Sequence, residues 1–95
     1  MPNWFVYFLK SQRKDWLYIG FTNQVERRYG EHCRGEVQST KSYRPLRLVG
    51  YVAVETQGKA IQLESYFKTG SGKAILRKRI LSDEVSVSSK QIILD

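Results

Sequence analysis

The stretch from residue 17 to residue 32, LYIGFTNQVERRYGEH, constrains the fold of this chain more than any other. Its apolar and aromatic start is typical of the end of a strand, and it is followed by Gly20, a polar turn and a helical pattern. Thr22 and Asn23 are residues that commonly cap the N-terminus of a helix. The stretch therefore predicts a strand, a short turn and a helix that begins near residue 23.

Three polar side chains are expected to meet at this strand–helix junction. Arg28 and His32 are four residues apart, and residues four apart in an α-helix lie on one face. Tyr18 lies at the end of the preceding strand, one short turn away. A phenol, a guanidinium and an imidazole in one place are suited to phosphate chemistry. Short β–turn–α units are also common in proteins without such chemistry, so the junction alone does not decide the function.

The single cysteine and the N-terminus indicate where the protein works. Cys33 is the only cysteine in 95 residues, so no internal disulfide can form, which is typical of a reducing compartment. It falls on the apolar side of its helix, and we expect a buried core thiol. Residues 4–9 form the apolar run nearest the N-terminus, without the basic segment and cleavage site of a signal peptide. We therefore expect a cytoplasmic protein.

The charge of the chain favours a polyanionic partner. Sixteen Lys and Arg stand against nine Asp and Glu, which gives a net charge of +7. A field of this sign attracts nucleic acid, although it also keeps small basic proteins in solution. We expect DNA as the partner, and we expect it to contact the basic residues outside the junction, namely Lys41, Arg44, Arg47, Lys73, Arg77, Lys78 and Arg79.

The periodicity of apolar residues predicts the remaining elements. Three segments are rich in aromatic and β-branched residues and predict strands, over residues 4–9, 16–20 and 46–54. Three segments predict helices, over residues 23–34, 59–68 and 73–81, with residues 69–72 breaking the last two apart. Gly35 is expected to end the first helix, and residues 35–43 are expected to form a mobile surface loop.

This order of elements predicts the fold class. The succession β-β-α-β-α-α indicates an α+β fold with a small three-stranded antiparallel or mixed sheet flanked by helices. We expect one domain over residues 1–81 and a C-terminal tail over residues 82–95. Two alternatives stay open for this tail, a loose terminus or a docked edge strand.

The motifs along the chain resemble those of one known family. Tyr18-Ile19-Gly20 is a literal YIG triplet, and Tyr7 keeps the tyrosine of a first half-motif on the preceding strand. Arg28 follows Gly20 by eight residues, and His32 follows four residues later. From about residue 4 to residue 81 the chain resembles the GIY-YIG nuclease domain, in its small stand-alone bacterial form.

The resemblance implies an activity. It implies an endonuclease that hydrolyses the phosphodiester bonds of DNA with Mg²⁺ or Mn²⁺, as in DNA repair or recombination. Low sequence specificity is expected because no recognition domain is attached, unless a protein partner supplies it. One departure favours an alternative, a nucleic-acid-binding module with the same fold and little or no activity. Active family members carry an Asn on the last helix, whereas the only asparagines here are Asn3 and Asn23.

The resemblance also implies a role for each site residue. Glu64, on the helix after the third strand, would hold the metal ion. Tyr18 would be the general base or a relay to it, and Tyr7 a second phenol near the phosphate or the water. Arg28 would bind a phosphate oxygen. His32 would orient a water, donate to the leaving oxygen or only hydrogen-bond Tyr18.

Structural alternatives exist for the same residues. Glu64 has Lys68 four residues later, so it can form a solvated ion pair on the helix instead. The two tyrosines can be half-buried aromatics of the sheet, and a lone His is often structural. One His and one Cys leave no cluster of the zinc type. Residues 69–73, TGSGK, lack the spacing of a nucleotide-binding P-loop, so we expect no nucleotide site there, although the start of the last helix could contact a DNA phosphate.

Overall fold

The computed structural model describes residues 3–81 and 91–93 of the chain. Four strands form one sheet, β1 (Trp4–Ser11), β2 (Leu17–Thr22), β3 (Leu46–Val54) and β4 (Gln91–Ile93). The helices are α1 (Val25–Cys33), α2 (Gln57–Phe67) and α3 (Gly70–Ile75), and α3 continues into one π-helical turn, Leu76–Ile80. A short 3-10 turn, Lys41–Tyr43, precedes β3. None of the helices within the described ranges is long and apolar enough to cross a membrane.

The sheet has the order β2-β1-β3-β4. β1 lies between β2 and β3 and is antiparallel to both, whereas β4 is parallel to β3. The predicted α+β fold with an antiparallel three-stranded sheet and flanking helices is confirmed. Residues 91–93 form the docked edge strand that the sequence left open, and residues 82–90 and 94–95 of the predicted tail lie outside the described residues. The domain boundary at residue 81 stays a prediction.

The two faces of the sheet are covered by different helices. Side chains alternate between the faces of a strand, so neighbouring residues of β1 enter different cores. Val6 and Phe8 pack with Ala60 and Phe67 of α2 on one face, here called the α2 face. The opposite face, here called the α1 face, carries a second cluster, which comprises Tyr7, Leu9 and Leu46 together with half-buried aromatics such as Tyr29 of α1.

A bulge interrupts the regular alternation of β3. The strand has the bounds predicted from the sequence, and an unbroken alternation along it would also place Leu48 and Val52 on the same face. Phe8 pairs with Gly50 while Leu9 pairs with Leu48, so Val49 is an extra residue between two paired positions. As a result Leu48 packs on the α1 face and Val52 on the α2 face. The side chains of β3 therefore do not alternate between the two faces along its whole length.

The ends of α1 differ in part from the expected ones. Thr22 is the last residue of β2, and its hydroxyl accepts a hydrogen bond from the backbone N–H of Gln24 at 3.1 Å. It therefore shapes the turn instead of capping the helix, which begins two residues later than predicted. Gly35 does end α1, because it adopts a φ of 78° and its N–H donates to the carbonyl oxygen of His32 at 3.1 Å.

The predicted break between the last two helices exists but is shorter than residues 69–72, because α2 ends at Phe67 and α3 begins at Gly70. Thr69 caps α3 by accepting a hydrogen bond from the N–H of Gly72 at 3.0 Å, so the helix begins at Gly70. Gly72 allows α2 and α3 to approach closely, because a Cβ there would overlap the carbonyl oxygen of Tyr66. Of the two glycines in this segment, only Gly72 is required for the packing of the two helices, because Gly70 has open space around it.

Cys33 is exposed, so the predicted core thiol is also wrong. The neighbouring His32 takes the buried position on α1 and is fully covered. The apolar side of this helix is therefore rotated toward His32 and away from Cys33.

Candidate active site

A chain of three buried polar side chains lies between β1, α1 and the following loop. Tyr7 is 2% exposed, and His32 and Thr40 are fully buried. The Tyr7 hydroxyl lies 2.8 Å from Nε2 of His32, and Nδ1 of His32 lies 2.7 Å from the Thr40 hydroxyl. The Thr40 hydroxyl also reaches the carbonyl oxygen of Val37 at 3.4 Å, which can only accept. This pattern assigns the proton to Nδ1, so that Thr40 accepts from His32 and Nε2 accepts from Tyr7.

Both ring systems stay uncharged at neutral pH. Burial lowers the pKa of His32 to about 4, and the positive charge of Arg28 acts in the same direction. Burial raises the pKa of Tyr7 to about 12, although the Arg28 guanidinium opposes the shift. A neutral imidazole is a poor general acid, and a phenol of this pKa is a poor base. The chain of Tyr7, His32 and Thr40 is therefore suited to holding groups in position.

Gly20 leaves room for the phenol of Tyr7. The two residues face each other across β1 and β2. A Cβ at Gly20 would lie 2.7 Å from Oη and 2.8 Å from Cζ of Tyr7, and 2.9 Å from Cε2 of Tyr18. Any side chain at this position would displace one of the two rings. Steric space thus explains why the YIG triplet has a glycine at this position, which the sequence alone did not show.

Tyr18 joins this cluster from the edge strand β2. Its ring centroid lies 5.1 Å from that of His32 and 6.1 Å from that of Tyr7. The expected meeting of Tyr18 with His32 therefore occurs, and Tyr7 joins the two rings. The hydrogen bond of His32 goes to Tyr7 and not to Tyr18, which was one of the expected partners. Tyr18 is half-buried, so it is the tyrosine of the pair with surface that a substrate can contact.

Arg28 is held at the rim of the cluster by Glu31. Its Nη1 donates to Oε1 of Glu31 at 2.9 Å, and its guanidinium is close enough to affect the pKa of Tyr7. The neighbouring Arg27 is more exposed, with 59% of its side chain accessible against 38% for Arg28, and lies 4.0 Å from Glu31. Only one of two adjacent arginines is thus oriented against the tyrosine. Glu31, which the sequence did not single out, fixes this orientation.

Glu64 is paired with a neighbour on its own helix. It belongs to α2, which packs over β1 and β2 on the face opposite Tyr7 and His32. Oε2 of Glu64 forms an ion pair with Nζ of Lys68 at 3.4 Å, which is the structural alternative expected for this residue. Its side chain is only 17% exposed. The structure thus brings together Tyr7, Tyr18, Arg28 and His32, whereas Glu64 belongs to α2, where it is paired with Lys68.

The donor groups can be compared with what a divalent ion needs. Within residues 3–81 and 91–93, no three His, Cys, Asp or Glu side chains come together as a ligand set. A metal ion at Glu64 would therefore rely on one carboxylate and on water molecules. Mg²⁺ is commonly bound in this way because it gives up its waters reluctantly. The residues present fit an ion of the magnesium type, with Lys68 as a competitor for the same carboxylate.

The predicted DNA-contacting residues lie in separate regions. Six of them are exposed and Arg44 is half-buried. Lys41 and Arg44 lie beside the 3-10 turn, where Nε of Arg44 donates to the carbonyl oxygen of Lys41 at 3.1 Å. Arg47 is on β3, and the other four lie on α3 and the π-helical turn, namely Lys73, Arg77, Lys78 and Arg79.

Thr40 is the functional-site residue that the sequence analysis missed. Residues 35–43 were expected to be a mobile surface loop, but Val37 and Thr40 are buried against α1, so this prediction was wrong. The isolated apolar Val37 in a polar segment was the one available signal that the loop folds inward. A buried histidine also needs partners for both ring nitrogens, which points to a hydroxyl or carbonyl nearby.

The sequence of the chain is similar to that of several known proteins. The model of the GIY-YIG catalytic domain family matches residues 3–79 of the chain. The UPF0213 protein YazA of Bacillus subtilis is 33% identical over 92 residues, which covers 96% of this chain and 88% of YazA. A UPF0213 protein of Natronomonas pharaonis is 35% identical over 81 residues, or 84% of this chain and 92% of that protein. No solved structure is significantly similar to the chain.

Proposed function

The chain belongs to the GIY-YIG catalytic domain family, and from this membership we propose that it is a divalent-metal-dependent DNA endonuclease of low sequence specificity. The observation that carries the proposal is the meeting of Tyr7, Tyr18, Arg28 and His32 on the α1 face. Hydrolysis of a phosphodiester needs an activated water and stabilisation of the charge on the phosphoryl oxygens. The phenol of Tyr18 and the guanidinium of Arg28, which both lie near Tyr7, can serve these two needs.

The side chains divide into a supporting group and a reacting group. Tyr7, His32 and Thr40 are buried and hydrogen-bonded in series, so they form the supporting group that holds the other side chains in position. Tyr18 packs against Tyr7 and His32, and in its phenolate form it would accept a proton from the attacking water, directly or through a relay. Arg28, which never loses its charge, would donate to the phosphoryl oxygens. His32 acts through Tyr7, because it is fully buried and cannot itself reach the leaving oxygen.

Glu64 would hold a Mg²⁺ or Mn²⁺ ion through its carboxylate. When bound, the ion supplies positive charge that stabilises negative charge on the phosphate. Lys68 competes for the carboxylate at 3.4 Å, so part of the role of Glu64 depends on how this ion pair is released.

A second function has specific support. The chain carries no Asn in residues 73–81, and the carboxylate of Glu64 is paired with Lys68. Both observations favour a nucleic-acid-binding module that keeps the fold and has little or no turnover. The net charge of +7 serves either function. A cytoplasmic location and a protein partner that supplies specificity stay predictions from the sequence.

Glu64 and Lys68 provide the variants that separate these functions. The protein is incubated with supercoiled, branched and single-stranded DNA in Mg²⁺, Mn²⁺ or chelator, as wild type, Glu64→Gln and Lys68→Gln. Glu64→Gln should abolish metal-dependent cleavage with little loss of stability, because an ion pair with a solvent-exposed lysine contributes roughly 0–1 kcal/mol. Lys68→Gln is the matched control, since it breaks the same ion pair and keeps the carboxylate.

The endonuclease proposal requires that Lys68→Gln still cleaves DNA. Wild-type turnover in Glu64→Gln would remove Glu64 from the mechanism. If no metal supports cleavage of any of the three DNA forms by the wild type, and binding persists, the protein is the binding module.

A further inference from the structure

A cleft of about 490 Å³ lies at the end of the sheet nearest the connection between β1 and β2. Lys10, near the end of β1, is one of its lining residues, three positions along the strand from Tyr7. At a rise of about 3.4 Å per residue, the cleft begins roughly 10 Å from the tyrosine cluster. Its volume falls in the range of small-molecule sites, about 300–1,000 Å³. It is separate from the candidate active site.

Three cations surround this cleft. Lys10 and Arg47 are paired across β1 and β3, and Arg77 approaches from the π-helical turn after α3. In the described part of the chain, none of these three side chains forms an ion pair. Asp15 is the one carboxylate of the lining, so positive charge is in excess. A phosphate monoester, which carries about −1.5 to −2 at neutral pH, matches this excess.

The rest of the lining is apolar and aromatic. Leu17, Val49 and Leu81 come from three different parts of the chain and form an apolar wall. Trp16 adds an indole ring that is held in place by stacking on Tyr43, with ring centroids 3.7 Å apart and an interplanar angle of 5°. Apolar and aromatic surfaces of this kind accept planar bases, because every base has a flat π-face. A bare anion would leave this part of the cleft unused.

We propose that this cleft binds a nucleotide that carries a phosphate monoester. The phosphate lies among Lys10, Arg47 and Arg77, and the base lies against Trp16 and the apolar wall. The ligand is either a free mononucleotide or the phosphorylated end of a DNA strand, which present the same chemistry. This site does not depend on hydrolysis at the tyrosine cluster, so the proposal and the endonuclease function can fail separately.

A fluorescence titration tests the proposal. The full chain carries Trp4→Phe, so that Trp16 is the only tryptophan left to report on the cleft. The probes are adenosine 5′-monophosphate, adenosine, inorganic phosphate, and one oligonucleotide with either a 5′-phosphate or a 5′-hydroxyl, all in chelator at one fixed salt concentration. We expect the monophosphate to quench Trp16 and to bind at least about 10-fold more tightly than adenosine or inorganic phosphate.

Charge-neutralising variants locate the site. Arg47→Gln and Arg77→Gln should each weaken binding of the monophosphate about 10-fold, as expected for loss of one charge-assisted hydrogen bond. Lys59→Gln removes an equal charge from an exposed position on α2 outside the cleft, and should change binding less than about 2-fold. Equal losses in all three variants would show only a general charge effect and would overturn the site.

The two sources of the ligand give different results. If the strand end is the ligand, the 5′-phosphorylated oligonucleotide binds more tightly than the monophosphate, and Arg77→Gln abolishes its advantage over the 5′-hydroxyl form. If the free nucleotide is the ligand, the two oligonucleotides bind equally and compete poorly with the monophosphate. Inorganic phosphate binding as tightly as the monophosphate, or no binding of the monophosphate, would overturn the proposal.

Discussion

Two neighbouring residues of β1 show how differently the two faces of the sheet are built. Phe8 points to the α2 face and packs edge-on against Phe67, with ring centroids 5.4 Å apart and an interplanar angle of 86°. Tyr7 points to the α1 face and donates its hydroxyl proton to His32 at 2.8 Å. Both side chains are almost fully buried. The same strand thus contributes to an apolar core on one side and to a hydrogen-bonded core on the other.

The difference separates stability from the positioning of functional groups. Apolar packing on the α2 face depends on area and shape and tolerates swaps that conserve volume. The chain of Tyr7, His32 and Thr40 depends on direction, because each polar atom needs a correctly placed partner and a buried polar atom without a partner is costly. We therefore expect the α2 face to set the stability of the fold and the α1 face to set the geometry of the site.

The largest effect is expected at Gly72 of α3, which lies against the backbone of α2. Gly72→Ala should lower the free energy of unfolding by more than about 3 kcal/mol, because its Cβ would overlap backbone atoms that no rotamer change can move. Gly70→Ala, two residues earlier in α3, has open space around its Cβ and should stay within about 0.5 kcal/mol of wild type. Urea denaturation measures both. Equal stabilities would mean that α2 and α3 do not pack as described.

A smaller effect, dependent on pH, distinguishes the α1 face. His32 is neutral in the folded protein, with a pKa of about 4, while the unfolded chain takes up a proton near the ordinary value of 6.5. Stability from this group is therefore fully present above pH 6.5 and is lost as pH falls toward 4. We expect a loss of about 2–3 kcal/mol over this window, from about 1.4 kcal/mol per pH unit of difference.

Variants on the two faces separate this effect from the titration of carboxylates. His32→Gln should remove the extra slope of unfolding free energy between pH 6.5 and 4. Phe67→Leu, on the α2 face, should lower the free energy of unfolding by the same amount at each pH, so that the slope of this free energy against pH stays unchanged. A wild-type slope no steeper than that of His32→Gln would contradict a neutral, buried imidazole.

The smallest effect is expected from two substitutions that keep the shape of the side chain, one on each face of the sheet. Thr40→Val removes the hydroxyl that accepts from His32 and should lower the free energy of unfolding by about 1.5 kcal/mol, the cost of leaving a buried donor unpaired. Val52→Thr places a hydroxyl in the apolar α2 face and should lower it by a comparable amount. Thermal or chemical unfolding measures both. A Thr40→Val variant as stable as wild type would show that the hydrogen bond to His32 contributes nothing.

Local patterns in the sequence were sufficient for the elements and for much of the site. The bounds of β3 were predicted to the residue, because alternating β-branched residues identify a strand without knowledge of its neighbours. The meeting of Tyr18 with His32 followed from a strand end and a helix joined by a short turn. These are relations between residues close in sequence, and local rules describe them well.

Features that depend on distant contacts could not be predicted. The bulge at Val49 exists because β3 must pair with β1, and the burial of Thr40 exists because its loop folds onto α1. The choice between His32 and Cys33 for the buried side of α1 depends on the hydrogen bond to Tyr7, which the helical pattern does not contain. The face of the sheet on which Glu64 lies likewise depends on how α2 crosses the strands.

The central claim is that the α1 face carries a site for cleaving DNA, and adjacent arginines test it most directly. Single-turnover cleavage is measured in Mg²⁺ and binding is titrated in Ca²⁺, for wild type, Arg28→Ala and Arg27→Ala, with Tyr18→Phe as a further variant. Arg28→Ala should slow cleavage at least about 100-fold, as loss of one preorganised donor does, and change affinity only about 3-fold. Arg27→Ala, which removes the more exposed neighbour, should cleave within about 2-fold of wild type.

Tyr18→Phe should lose cleavage and keep affinity, because it removes only the phenol hydroxyl. Equal losses of cleavage in Arg28→Ala and Arg27→Ala, or parallel losses of binding and cleavage in Arg28→Ala, would contradict the claim.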